Sequence, residues 1–179
     1  MSKQPGSRQV RSSPPRGCRG NIVFNTIYFY GTHDPMGLER PMAPHRRAVR
    51  IQWGDCDPAG IVYFPRYFAM FDDSTAALFE HVGFRKPQLL ATFGIIGFPV
   101  VDVSASFRAP CRFGDDVVIE SVIEQWQTSS FKVLHRLLKN DLVAIECREV
   151  RVWAEHDASR PNGLRAKPID EDLKRRFES

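Results

Sequence analysis

Six consecutive residues, Asp55-Cys56-Asp57-Pro58-Ala59-Gly60, sit between an alternating apolar segment and a long amphipathic one, and they hold the side chains best suited to chemistry. Proline and glycine shape a turn there, and packing does not account for an aspartate within it. A helix starting just downstream aims unpaired backbone N–H groups and the positive end of its dipole at whatever approaches the carboxylate. A carboxylate beside such donors is the minimum equipment for attack on a carbonyl carbon. The bland alternative for Asp57 is a turn aspartate that accepts backbone N–H bonds. Asp55 reads as the residue that braces the loop. Cys56 reads as a small packing residue, since two flanking carboxylates oppose a thiolate and no histidine is near in sequence.

Other chemistries lack their residues. Cys18, Cys56, Cys111 and Cys147 form no CxxC pair, and His33, His45, His81, His135 and His156 never fall at ligand spacing, so neither a metal nor a disulfide framework is called for. No GxSxG elbow or Walker loop occurs, and no cofactor is implied. Six of the 25 basic and two of the 21 acidic residues fall in residues 1–41, which leaves nineteen of each sign in the rest. The formal net charge of +4 is thus confined to the first segment, and a nucleic-acid-binding face is not expected. The longest strongly apolar stretches, such as Gly94 to Val101, are too short to span a bilayer. A reducing cytosol suits the scattered cysteines.

With 179 residues the chain has room for one ordinary core. Residues 1–41 read as an appendage: a disordered tail, a targeting peptide, or the product of an upstream start with Met42 as the real one, the last being favoured. The apolar patch Ile22 to Tyr30 could add an edge strand. Residues 42–179 then form the domain. Val49, Ile51 and Trp53 alternate with polar residues and predict a strand over Arg47 to Trp53. Pro65 suits the first turn of a helix whose Phe64, Phe68, Phe71, Thr75, Leu78, Phe79 and Val82 recur at three- and four-residue steps, with Gly83 closing it. A shorter helix is expected from Pro87 to Phe93. Four strands follow: Pro99 to Ala109, Asp116 to Gln127, Ser130 to Lys139 and Leu142 to Glu155, the last two joined by a tight turn at Asn140-Asp141. A short polar helix is expected over Asp170 to Phe177. One strand, one long buried helix and four antiparallel strands predict an α+β fold, a sheet wrapped around a single central helix. Its free edge implies self-association, a dimer at least and a tetramer by preference.

The run from Trp53 to Tyr67, WGDCDPAGIVYFPRY, with Gly94 to Pro99 and Phe113 to Val117 at suitable distances, resembles the hotdog-fold acyl-CoA thioesterases, most closely the 4-hydroxybenzoyl-CoA thioesterase branch. The resemblance spans about residues 46–155 and implies the hotdog fold and hydrolysis of an acyl-CoA thioester with an aromatic or medium acyl group. It implies Asp57 as nucleophile or general base and the backbone N–H of Phe64 as oxyanion donor. It also implies Asp72, Tyr63 and Phe68 as substrate contacts, and Asp72 matches the aspartate that reads a phenol hydroxyl. One departure stands out: where the aromatic-CoA enzyme has a basic cluster, this chain reads Trp126-Gln127-Thr128-Ser129-Ser130-Phe131. The phosphates of coenzyme A must then find donors elsewhere, among Arg108, Arg112, Arg148 and Arg151, or the carrier is an acyl-carrier protein. Hydration or dehydration of a thioester is disfavoured, since no histidine lies from Gly54 to Phe64. A non-catalytic hotdog module that binds acyl groups or drives oligomerisation is the alternative of a different class. For Asp72 and Asp73 the alternative is an ordinary acidic pair, one solvated and one partnered by a neighbouring arginine, and for His135 a satisfied surface or core histidine rather than a base.

Overall fold

A computed structural model describes residues 43–178; residues 1–42, with the patch Ile22 to Tyr30 and the start expected at Met42, lie outside the described residues. The elements run β1 (His45–Arg50), α1 (Phe64–His81), α2 (Lys86–Phe93), β2 (Val100–Phe107), β3 (Asp116–Trp126), β4 (Ser130–Lys139), β5 (Leu142–Val152), β6 (Ala154–His156), β7 (Leu164–Ala166) and α3 (Glu171–Arg176). The main sheet is five-stranded and antiparallel, in the order β1-β3-β4-β5-β2. At the β4–β5 hairpin Asn140 (φ 51°) and Asp141 (φ 61°) both adopt the left-handed conformation that a two-residue turn demands, with Lys139 opposite Leu142.

Two strand boundaries differ from expectation. β1 stops at Arg50 because its partner β3 begins at Asp116 opposite it, and the backbone of Ile51 is then taken up by Gly114 and Asp115. Ile51 is buried as the alternation requires, but Trp53 belongs to a 3-10 turn, is 77% exposed and packs only edge-on against Phe113. The strand expected to Glu155 breaks at Trp153, whose N–H turns to Ser129 while Ala154 pairs with Gly97.

Helix α1 is laid across the sheet by a buried face of Tyr67, Met70, Phe71, Ser74, Thr75, Leu78 and Phe79, at helical spacing. The core this face fills is layered. At the start of α1 one apolar cluster gathers Tyr67, Met70 and Phe71 with Ile51, Ile119, Leu137, Ile145 and Cys147; at its end a second gathers Leu78 and Phe79 with Phe98, Phe131, Val133 and Trp153. Five polar side chains, all buried, lie at the intervening positions of these same elements: Thr75 on α1, Ser121 on β3, His135 on β4, and Glu149 and Arg151 on β5.

Most of this polar layer is satisfied from within. Thr75 Oγ1 donates to Phe71 O (3.1 Å), which leaves it to accept from His135 Nε2 (3.3 Å), and His135 Nδ1 then accepts from Ser121 Oγ (2.8 Å). His135 is thereby a neutral ring protonated at Nε2, stacked on Phe71 at 5.0 Å. Its pKa is pushed below the ordinary value of 6.5 by burial, against the pull of Glu149. Arg151 Nε donates to Glu149 Oε2 at 2.8 Å. Arg151 Nη2 is 2.7 Å from the same oxygen but off the hydrogen-bond direction, so that second contact is electrostatic. Burial works against the charged form of Glu149, yet His135 and Arg151 together hold its carboxyl below the ordinary range.

Because the unfolded chain binds a proton at His135 more tightly than the folded one, stability from this group is complete above about pH 6.5 and declines as pH falls through that value. His45, also lowered by burial and by neighbouring His81 and Arg47, acts in the same direction. We expect the urea midpoint to drop between pH 7.5 and 5.5, and to drop less in His135→Gln. Equal acid sensitivity in the two proteins would show that the buried ring does not set it.

Candidate active site

The loop between β1 and α1 is built by its own hydrogen bonds. Asp55 Oδ2 accepts from Gln52 N (2.8 Å), its carbonyl accepts from Tyr63 N (2.8 Å), and its Oδ1 lies 3.9 Å from Arg66 Nε. Asp55 thus ties the loop's two ends. The next residues form the turn their types foretell: Gly60 N donates to Asp57 O (2.9 Å), with Pro58 inside the turn and Gly60 at φ 74°. Asp57 Oδ1 accepts from Ala59 N (2.8 Å), which orients the half-buried carboxylate, while Oδ2 has no protein partner among the described residues. Both readings of Asp57 are therefore visible in one side chain, one oxygen anchored as in a turn aspartate and the other open. Cys56 packs against the first apolar cluster, its Sγ 3.9 Å from Gln52 O.

Tyr63 caps α1 in an extended conformation, and Pro65 lacks an N–H, so the first donor of the helix is Phe64 N–H, which finds no acceptor among the described residues. Phe64 stands in the wall of an open groove of about 330 Å³, together with Ile61, Val62, Tyr67, Phe107, Arg108, Ala109 and Pro110. The groove is held in shape from both sides. Val62 N donates to Cys111 O (2.9 Å), and Cys111 N donates to the Tyr67 hydroxyl (3.2 Å), which fastens α1 to the segment after β2. Burial raises the pKa of the Tyr67 hydroxyl and of the Cys111 thiol, and pushes the Cys147 thiol up to about 12, so none of these is poised for acid–base or nucleophilic work.

Of the residues anticipated from sequence, Phe64 lies in the groove wall and Asp57 lies in the same loop a few residues before it. Tyr63 is exposed and meets Phe64 edge-on at 5.4 Å; Phe64 meets Phe68, and Phe68 meets Phe71, each at 6.4 Å. An aromatic ladder thus descends from the helix start to the buried His135. Asp72 sits further along α1, half-exposed, with Oδ1 2.7 Å from Arg151 Nη1 and Oδ2 3.6 Å from Lys86 Nζ. Burial works against its ionised form, but Arg151 and Lys86 outweigh it and keep the carboxyl below the ordinary range. Asp73 points outward.

The arginines considered for phosphate sort themselves by burial. Arg151 is 2% exposed and is withdrawn from that role, its charge being committed to Glu149 and Asp72. Arg148 is held between Glu124 and Glu146. Arg108 is 57% exposed in the groove wall with Glu146 at 4.0 Å, and exposed Arg112 reaches Gly60 O at 3.3 Å beside the Asp57 turn. Sequence reasoning missed the Glu149–Arg151 pair, although two charges at inward-facing positions of β5, in phase with Cys147 and Trp153, were a signal. Among the described residues no group of three or more His, Cys, Asp or Glu side chains is arranged to hold a metal, and no helix is long and apolar enough to cross a membrane.

Residues 51–177 match the thioesterase-like superfamily. The 4-hydroxybenzoyl-CoA thioesterase of Pseudomonas sp. (strain CBS-3) is 34% identical over 129 residues, which cover 69% of this chain and 89% of that enzyme. Among solved structures, a mutant 4-hydroxybenzoyl-CoA thioesterase complexed with 4-hydroxybenzoyl-CoA aligns with a TM-score of 0.69 at 30% identity, over 75% of this chain and 99% of its own. A gentisyl-coenzyme A thioesterase aligns with a TM-score of 0.64 at 31% identity, over 73% of this chain and 99% of its own. These neighbours share the hotdog fold, an antiparallel sheet around one long helix, as found here. With sequence match, sheet order and central helix in agreement, the chain belongs to the thioesterase-like superfamily.

Proposed function

We propose that the protein hydrolyses an acyl-CoA thioester, with an aromatic acyl group of the 4-hydroxybenzoyl kind, to the free acid and coenzyme A. The observation that carries this reading is the Phe64 N–H, without an acceptor among the described residues, on a groove-wall residue at the start of α1 just after the loop whose turn fixes Asp57 by one oxygen and leaves the other without a protein partner. The thioester carbonyl oxygen accepts from Phe64 N–H, where the helix dipole favours the developing negative charge. Asp57 attacks the carbonyl carbon directly, expelling coenzyme A as thiolate and forming a mixed anhydride that water then cleaves to the free acid and the Asp57 carboxylate, or it takes the proton of an attacking water as general base and the C–S bond breaks with coenzyme A again leaving as thiolate. The ring of the acyl group lies along Tyr63 and Phe68, and Asp72 meets its far end. Arg108 and Arg112 supply the cations for the coenzyme A phosphates that the segment after Trp126 lacks, which favours coenzyme A over an acyl-carrier protein. The cytoplasm is the compartment in which this substrate class is met.

Strand β2 supports a homo-oligomer, a dimer or a tetramer. It is a sheet edge exposed along both faces, and it presents Val101 (60% exposed), Val103 (45%) and Phe107 (52%) beside the groove. Such an apolar edge is covered in a stable protein, and a second copy presents the same edge in return. Pairing there brings Asp57 of one copy near residues of the other.

Three outcomes test this function. Asp57→Asn keeps the turn and removes the charge, so kcat falls by roughly 10² or more while substrate binding persists; a folded, fully active Asp57→Asn enzyme would remove the mechanism. Arg108→Ala with Arg112→Ala raises KM by about tenfold for a coenzyme A thioester, as charge-assisted phosphate contacts are lost, but leaves KM unchanged for the same acyl group on N-acetylcysteamine, which carries no phosphate. An equal effect on both substrates would place the phosphates elsewhere. Val101→Lys with Val103→Lys lowers the mass measured by light scattering at micromolar concentration, whereas an unchanged mass would mean that β2 is not the contact.

A further inference from the structure

The two buried charges of the polar layer, Glu149 and Arg151, have no part in the attack on the thioester, yet they lead to one half-exposed side chain. Arg151 Nη1 reaches Asp72 Oδ1 at 2.7 Å, and the rest of its guanidinium is spent on Glu149, 2.8 Å from Nε. Glu149 Oε2 lies 3.6 Å from His135 Nε2, and His135 is pinned by Ser121 and Thr75. The Arg151 guanidinium also lies over the Phe98 ring at 5.7 Å, with Lys86 Nζ 5.5 Å from that ring. A guanidinium so enclosed has a single orientation. An apolar pair of similar volume would serve stability as well as a buried ion pair does, so the visible consequence of this pair is what it does at the surface of α1.

We propose that Arg151, held by Glu149 and His135, is a positioning residue for substrate selectivity: it consumes Asp72 Oδ1 and turns Oδ2 outward as an acceptor for a hydrogen-bond donor, such as an aryl hydroxyl, at the far end of the acyl group. This rests on the reading that Asp72 meets the acyl end. Oδ2 faces only Lys86, at 3.6 Å, and so retains a lone pair for an incoming donor. An ionised carboxylate accepts and cannot donate, so the preferred acyl terminus is a hydrogen-bond donor. An anionic terminus is repelled, and an unsubstituted ring leaves the oriented acceptor unmatched.

The test compares kcat/KM for 4-hydroxybenzoyl-CoA and benzoyl-CoA in the wild-type protein, Asp72→Asn, Arg151→Lys and the double variant Arg151→Met with Glu149→Gln. The double variant removes the buried pair together, so that no lone charge is stranded if Arg151→Lys fails to fold. We expect the hydroxy-to-unsubstituted ratio to fall by about tenfold or more in Asp72→Asn and in the folded Arg151 variants, the size of a charge-assisted hydrogen bond. A carbon-13 titration of the Asp72 carboxyl supplies a readout independent of turnover, and its midpoint should rise in the double variant. If Asp72→Asn keeps the ratio, the acyl-end reading falls and the positioning role with it. If Asp72→Asn loses the ratio while the Arg151 variants keep it, or if the Asp72 midpoint does not move in the double variant, the positioning role alone is overturned.

Discussion

The contact on which the molecule turns is the one between the middle of α1 and the middle of the sheet, where Thr75 meets His135 and His135 meets Ser121. Apolar packing is non-directional, and a helix held to a sheet by aromatic rings alone tolerates small rotations and shifts. Buried polar groups do not. A displacement of one helical turn would part Thr75 from His135, and the ring nitrogen stranded at Nε2 would cost about 1–3 kcal/mol. The same displacement would take Asp72 away from buried Arg151, whose Nη1 lies 2.7 Å from Asp72 Oδ1. The apolar clusters on either side supply most of the folding free energy, while the polar layer between them fixes the position of α1.

That position matters because the proposed reaction centre is a helix end. Phe64 N–H points where the axis of α1 points, so the rotation and height of the helix set where an oxyanion would be held. The Asp57 loop, which precedes that helix end in sequence, is held by other means. Its backbone is strapped to the segment after β2 through Val62 and Cys111, and that segment is fastened back to α1 through the Tyr67 hydroxyl. Loop, helix and groove wall thus close a ring of contacts in which the Asp57 carboxylate is oriented by its own turn. This arrangement suits a reaction whose carbonyl must be met from two sides within about 3 Å.

What was legible in the sequence was local. The Asp57 turn announces itself because Pro58 and Gly60 have few other uses, and the helix and hairpin follow from period and turn chemistry that neighbouring residues carry between them. Trp53 was misplaced on the strand because alternation continues past the point where β3 ends, and only the partner strand decides that a ladder stops. The polar layer was obscure for a related reason. Thr75, Ser121, His135, Glu149 and Arg151 stand on four elements, and it is the register of β3, β4 and β5, with the rotation of α1, that brings them together. Seen singly, each looks like an ordinary strand or helix residue, and Arg151 looked like a surface cation.

The same layout explains how one helix serves two demands that usually conflict. A reaction centre needs an unsatisfied donor and an open carboxylate, both of which cost stability, whereas selectivity at the far end of a substrate needs a group held in one orientation. On the proposed reading the two are separated along α1: the Phe64 N–H and the open groove lie at its exposed start, and Asp72 lies two turns on, anchored through Arg151 to the buried polar layer. The aromatic ladder from Tyr63 through Phe71 joins them without adding polar groups, and its lowest ring stacks on His135. Changes at the polar layer therefore reach both the tilt of α1 at its start and the Asp72 carboxylate in its middle. Changes in the Asp57 loop are confined to the start alone.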